Sequence, residues 1–206
     1  MTTRRGSNVR RCPRCKINQQ HCFCAFIRPL QIASTVSLIV HVRELKLTSN
    51  TAHFVKEMLP QNAHFDVRGH VEGALDMQMI VDRPGRPLFL FPNEAAQTLD
   101  QAFVAEHPGP YHLIVPDGSW NQARKVHNRE PLMNQIPTVK LPSGIVGEYH
   151  LRRAPTPGHV STYEAVAHAL GILESEQVRD ELMNFFRIFV KSNRHARSDF
   201  FGQLKL

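Results

Sequence analysis

Three short apolar runs constrain the fold of this chain more than any other feature. They are Thr35 to Val40 (TVSLIV), Leu88 to Phe91 (LFLF) and His112 to Val115 (HLIV). Each run has the length and composition of a buried strand and ends abruptly at polar residues or proline. A segment with helical spacing follows the first of them, from Asn50 to Leu59. Strands that alternate with helices at this distance predict an α/β fold, with a mostly parallel sheet and flanking helices.

The segments after the second and third runs predict further helices. Asn93 and Glu94 suit the first turn of a helix that runs to about Phe103. Asp117-Gly118-Ser119-Trp120 opens another helix, which runs to about His127.

The last third of the chain has a different composition. Residues 131–157 are rich in proline and glycine, which predicts mainly loop with one short strand near Val139 to Leu141. Two helices follow, one from Ser161 and one from about Glu176 to Asn193 that carries its apolar residues on one face.

All four cysteines are close together, as Cys12-x-x-Cys15 followed by Cys22-x-Cys24. A two-residue gap lets both thiolates of a pair face one tetrahedral ion while the backbone turns between them. We therefore predict a zinc knuckle over residues 1–30, ahead of a main domain over residues 31–206. A disulfide pair or free thiols are the alternatives, and His21 could replace one thiolate.

The charge of the chain indicates an anionic partner. Its formal net charge is +7 and its pI is about 9.6, which favours nucleic acid or an acidic membrane surface. The chain has no apolar run near ~20 residues, which argues against a membrane. Its Arg-rich N-terminus lacks the apolar stretch of a secretory signal. We therefore expect a cytoplasmic protein, in which clustered cysteines are metal ligands more often than disulfides.

Polar residues follow each of the three predicted strands. Ligands of open α/β sheets bind beyond the carboxyl ends of the strands, where loops and helix N-termini present free backbone N–H groups. His41 to Glu44, Pro92 to Ala95 and Pro116 to Trp120 occupy that position. We expect these three segments to converge on one pocket.

Purely structural roles are the alternatives for the polar residues of these segments. Asp117 could be only a helix N-cap, with Trp120 filling the core, although a cap and a base are not exclusive. His41 and Glu44 could be an ordinary surface pair.

The helix start at Ser161 also admits two interpretations. Ser161 and Glu164 have the spacing of a capping box, which alone would explain them. Arg152 and Arg153 precede this helix N-terminus, however, and together they suit a carboxylate or a phosphate.

Taken together, these motifs resemble the DTW-domain family, the tRNA-uridine aminocarboxypropyltransferases. The order and spacing agree from Cys12 to about Ala169, and two positions differ: Ser119 stands where the family has threonine, and Val42 where proline is usual. Neither difference removes a reactive group. The resemblance is carried by the four cysteines, His41-x-x-Glu44, Asn50-Thr51, Asp117-Gly118-Ser119-Trp120, and Arg152-x-x-Pro155 leading into Ser161-Thr162-x-Glu164-Ala165.

The resemblance implies a fold and a reaction. The family looks related to the SPOUT methyltransferases, so it implies a C-terminal knot that holds S-adenosylmethionine in a bent form. The implied reaction transfers the 3-amino-3-carboxypropyl group to N3 of a tRNA uridine, usually in the variable loop, and releases methylthioadenosine. A SPOUT-like RNA methyltransferase and a non-catalytic protein that binds zinc and RNA remain as alternatives.

The implied reaction assigns roles to individual residues. Asp117 is expected to accept the uridine N3 proton, with Ser119 and Trp120 beside it as catalytic residues. Adenine is expected against the backbone of apolar loops, and the cofactor carboxylate at a helix N-terminus and a neighbouring arginine. The residues expected to bind the cofactor are Leu90, Pro92, Pro116, Leu141, Arg153, Ser161, Thr162 and Glu164. Those expected to contact tRNA phosphates are the basic knuckle, Lys46, Arg124, Lys125, Arg129, Lys191, Arg194 and Arg197.

Overall fold

A parallel sheet forms the centre of the protein. The computed structural model describes residues 10–45, 47, 50–69, 74–149 and 160–203, with side chains through 196. Its strand order is β2-β1-β5-β3-β6-β4, and every described pair is parallel. The predicted α/β fold with a mostly parallel sheet is therefore confirmed. The strands are β1 (Thr35–His41), β2 (Ala63–Arg68), β3 (Arg86–Leu90), β4 (Gln97–Thr98), β5 (Tyr111–Asp117) and β6 (Thr138–Lys140).

Helices cover both faces of the sheet because successive strand residues point to opposite sides. In β1, Leu38 and Val40 join one apolar cluster with α1, α5 and α6, whereas Ile39 joins a second cluster with α2 and α4. None of the described helices combines the length and the apolar composition that a bilayer crossing requires. The helices are α1 (Ala52–Met58), α2 (Met77–Val81), α3 (Gln101–Glu106), α4 (Trp120–Arg129), α5 (Thr162–Leu173) and α6 (Glu176–Gln203).

Several elements differ from those that the sequence predicts, and α2 is one that it does not predict at all. The prediction of a helix from Asn93 is wrong, because β4 pairs with β6 in this region and α3 begins only after Asp100. The Asp100 side chain accepts the Phe103 N–H at 2.9 Å and so caps α3. β2 was not predicted, since its sequence AHFDVR mixes polar and apolar residues without a clean strand signal.

The cysteine-rich segment packs directly on the main core. Phe23 is fully buried and contacts Phe54 of α1 together with Phe185 and Phe189 of α6, with ring centroids 5.2 to 5.8 Å apart. Arg14 donates to Glu57 of α1 at 2.8 Å. The boundary at residue 30 thus separates a metal-binding segment by its chemistry but not by its packing.

The implied C-terminal knot concerns a region that is only partly described. Residues 150–159, with Arg152 and Arg153 among them, lie outside the described residues, and so does Lys46. The knot therefore stays a prediction of the resemblance.

Candidate active site

A cavity of about 850 Å³ opens at the carboxyl edge of the sheet. The ends of β3, β5 and β6 form its floor, and the chain around the starts of α1, α4 and α5 forms its walls. Of the residues predicted for catalysis and cofactor binding, the structure brings together Leu90, Pro92, Pro116, Asp117, Ser119, Trp120, Leu141, Ser161 and Thr162. Glu164 does not line the cavity, and Arg153 is not among the described residues.

Asp117 joins three elements at the floor of this cavity. It ends β5, is only 7% exposed, and accepts hydrogen bonds on both carboxylate oxygens. Asn50 Nδ2, just before α1, donates to Oδ2 at 2.6 Å, and Thr162 Oγ1, in the first turn of α5, donates to Oδ1 at 2.5 Å. These two bonds hold the carboxylate in one orientation.

The cap of α4 is Ser119, so the interpretation of Asp117 as the N-cap is wrong. The Ser119 hydroxyl accepts the Gln122 N–H at 3.4 Å, and the Gln122 side chain accepts the Ser119 N–H at 2.6 Å, which makes a capping box. A Cβ at Gly118 would lie 2.7 Å from Gln122 Oε1, so glycine at this position allows the close approach.

Trp120 lies at the mouth of the cavity and not in the core. Its side chain is 40% exposed, and its ring centroid lies 6.0 Å from that of Phe91. An aromatic ring held in this way offers a face on which a nucleobase can stack. The interpretation of Trp120 as core filling is therefore wrong.

Lys140 is a site residue that the sequence prediction missed. It ends β6, and among the described residues that line the cavity it is the one cation, as Asp117 is the one anion. The signal available in the sequence was its position within the short strand predicted near Val139 to Leu141.

Glu164 supports the cavity wall from behind. Its carboxylate is fully buried and accepts the Ser161 N–H at 2.7 Å, so the predicted capping box is present. The other oxygen accepts the Glu148 N–H at 2.5 Å, and Arg187 of α6 donates two bonds of 2.8 Å to the Glu148 carboxylate. Glu164 therefore fixes the end of the wall loop, residues 141–149, from behind the cavity.

His41 and Glu44 do not line the cavity, so the expectation that all three strand-end segments converge there is wrong. Of the second segment, only Pro92 reaches it. The His41 ring accepts the Arg43 N–H at 3.2 Å. Burial lowers the pKa of His41, and the charges of Arg43, Arg68 and Lys125 lower it further. Glu44 opposes this effect, so His41 lies outside the cavity among charged residues of both signs.

The four cysteines form a separate metal centre. Their Sγ atoms all lie within 4.8 Å of one another, and the pairs Cys12–Cys24 and Cys15–Cys22 are both 3.8 Å apart. A zinc ion with Zn–S bonds of about 2.3 Å places its four sulfurs about 3.8 Å apart, so the set fits tetrahedral zinc. All four are free thiols in the structure, and His21 is not part of the group.

The surroundings of Cys12 favour its thiolate form even without a bound metal ion. Backbone N–H groups of Cys15 and then Arg14 lower the pKa of Cys12 to about 6, which favours the thiolate that zinc binds. Burial raises the pKa of Cys24. A bound dication would counter that effect by stabilising the thiolate.

Zinc content tests the metal centre. We expect about one equivalent in the purified protein, and Cys22→Ser should reduce it because only three of the four ligands remain. The melting temperature should fall as well, since Phe23 beside this ligand packs in the main core. His21→Asn is the matched control and should retain the metal. A fully folded, metal-free protein with disulfide-linked cysteines would refute the assignment.

The sequence of the chain matches one family model and is similar to two proteins of known name. The family model of the DTW domain matches residues 9–194. The tRNA-uridine aminocarboxypropyltransferase 2 of Drosophila melanogaster is 29% identical over 171 residues, which is 80% of this chain and 67% of that protein. The protein of the same name from Macaca fascicularis is 28% identical over 177 residues, 84% of this chain and 59% of that protein. The chain thus spans roughly three-fifths to two-thirds of these relatives.

A solved structure is also similar, at a low level. It is that of the SAM-dependent rRNA:acp-transferase Tsr3 from Vulcanisaeta distributa, with 20% sequence identity and a TM-score of 0.44. The superposition covers 79% of this chain and 81% of that one.

Proposed function

Because the chain belongs to the DTW domain family, we propose that it transfers the 3-amino-3-carboxypropyl group of S-adenosylmethionine to N3 of a tRNA uridine, in the variable loop. The relatives from fly and macaque carry this activity in their names. The observation that carries the proposal is the cavity itself, in which Asp117 and Lys140 are the one anion and the one cation among the described lining residues, with Trp120 at the mouth.

The cavity suits the size and chemistry of the two substrates. Its volume of about 850 Å³ is near the upper end of the range of about 300–1,000 Å³ that small-molecule sites occupy. Leu90, Phe91 and Leu141 give it an apolar side for adenine, whereas the start of α5 at Ser161 and Thr162 supplies polar groups. S-adenosylmethionine contributes a sulfonium that activates its neighbouring carbons.

The transfer replaces a carbon–sulfur bond by a carbon–nitrogen bond and moves one proton. Uridine N3 bonds to the methylene of the aminocarboxypropyl group, the carbon–sulfur bond breaks with its electron pair going to sulfur, and methylthioadenosine leaves. The N3 proton must go to an acceptor, and holding the correct methylene in line with the nitrogen accounts for most of the rate.

Asp117 is the proposed proton acceptor. Its carboxylate lines the cavity, and the bonds from Asn50 and Thr162 hold it in one orientation. Trp120 is placed to stack on the uracil ring, while Ser119 acts through the α4 cap rather than on the proton.

Lys140 is the proposed partner of the cofactor carboxylate. A carboxylate at this depth needs a positive group, and the N-terminus of α5 at the same wall adds partial positive charge. We assign zinc a structural role in the cysteine-rich segment and place the protein in the cytoplasm, where thiols stay reduced.

Nucleoside analysis tests the reaction. When the protein is incubated with unmodified tRNA and S-adenosylmethionine, mass spectrometry should find 3-(3-amino-3-carboxypropyl)uridine in the tRNA and methylthioadenosine in solution. A methylated nucleoside with S-adenosylhomocysteine would instead identify a methyltransferase. Neither product, with tRNA binding intact, would indicate a non-catalytic binding protein.

Exchanging Asp117 and Asn50 separates a chemical role from a structural one. Asp117→Asn should lower the transfer rate by roughly 10²-fold or more, the usual scale for losing a general base. The melting temperature should stay near wild type, because the new amide can accept from Asn50 through its oxygen and donate to the Thr162 hydroxyl through its nitrogen. The double variant Asn50→Asp/Asp117→Asn keeps a carboxylate–amide pair but moves the carboxylate to residue 50. It should not regain the single-turnover rate, and recovery of that rate would make Asp117 a positioning residue.

Lys140→Gln tests the carboxylate partner. The Michaelis constant for S-adenosylmethionine should rise about tenfold or more, since a charged hydrogen bond contributes about 1.5–3 kcal/mol. Inhibition by methylthioadenosine should not change, because that product lacks the carboxylate. Lys191→Gln, an exposed lysine of α6, is the matched control. If the variant binds S-adenosylmethionine and methylthioadenosine less tightly by the same factor, Lys140 shapes the pocket without binding the carboxylate.

A further inference from the structure

A second, shallow groove lies on α4, beside the main cavity. It encloses about 310 Å³, and polar or basic side chains of α4 line all of it. Asn121 lines both this groove and the main cavity, so the two are adjacent. The groove is lined by Asn121, Arg124, Lys125, Asn128 and Arg129, all of which are exposed.

The three cations of this groove are available to an external anion. In the part of the chain that the structure describes, no carboxylate pairs with Arg124, Lys125 or Arg129. The acidic residue next in sequence, Glu130, is already held by Arg68 in bonds of 3.0 and 3.2 Å. Arg124 is steadied by Asn121, which accepts its guanidinium N–H at 2.8 Å.

Lys125 of the groove also acts on His41 at the end of β1. Burial lowers the pKa of the His41 ring most, the charges of Arg43, Arg68 and Lys125 lower it further, and Glu44 opposes them. The groove therefore lies near the carboxyl end of β1, where Arg68 is already paired with Glu130.

Helix geometry connects the groove to the mouth of the cavity. Trp120 is the first residue of α4, and Arg124 follows it by one turn on the same side, about 6 Å along the axis. Asn128 follows by another turn. A nucleotide stacked on Trp120 would therefore place the adjoining backbone along the line of basic side chains.

We propose that the α4 groove binds the backbone phosphates of the nucleotides adjoining the target uridine, so that the RNA approaches the active site across α4. This inference rests on the proposed function and specifies how that site receives its RNA. Arginine and lysine contacts to phosphate position a nucleic acid without reading its sequence. The groove therefore fixes where the RNA lies along α4 but does not select its bases.

A charge-matched pair of variants tests the proposal. Arg124→Gln/Arg129→Gln should raise the dissociation constant for tRNA by about tenfold or more. The slope of log K against the logarithm of the salt concentration should also become less steep by about two units. Each unit corresponds to one phosphate that an arginine no longer neutralises. The Michaelis constant for S-adenosylmethionine should not change. Arg86→Gln/Arg179→Gln removes two arginines that lie outside both the groove and the knuckle, and should leave both the tRNA affinity and the slope near wild type.

The outcomes separate this proposal from the proposed function. If the wild type forms the modified uridine and the α4 variant binds tRNA with unchanged affinity and slope, the groove proposal is overturned while the function stands. An equal weakening of tRNA binding in both double variants would also overturn it, since net charge alone would then explain binding. If the wild type modifies no uridine but only the α4 variant binds tRNA more weakly, the groove stands and the proposed reaction fails.

Discussion

The buried carboxylate of Asp117 is the constraint on which the arrangement of this site depends. It lies at the end of β5 and receives one hydrogen bond from the chain before α1 and another from the first turn of α5. A buried charge is costly unless it is hydrogen-bonded, so these three elements must meet in register. Once they do, Trp120 follows three residues later at the mouth of the cavity, and α4 leads away from it with its basic side chains outward.

Local patterns predicted much of the fold and of the site. The apolar runs at β1, β3 and β5 are strong signals because strands in a sheet covered on both faces are apolar throughout. The Ser161–Glu164 capping box was also readable, since its spacing alone specifies it. The cysteine spacing predicted a cluster that the structure assembles with tetrahedral dimensions.

Contacts between distant parts of the chain were not predictable in this way. The Asn50–Asp117 bond joins residues 67 apart in sequence, and nothing in either local sequence specifies the partner. The same holds for the bond from Glu148 to Glu164, which connects the wall loop to α5. The position of Asp117 before a glycine turn also suits a helix cap, but Ser119 competes for that role and forms the capping box.

The packing of Phe23 has a consequence for how the protein is made. Synthesis proceeds from the N-terminus, and domains generally fold as units. Phe23 leaves the ribosome well before Phe185 and Phe189 of α6, which complete its pocket. The cysteine-rich segment is therefore available to bind a metal ion during translation, but the Phe23 side chain stays exposed to solvent and chaperones until α6 has emerged.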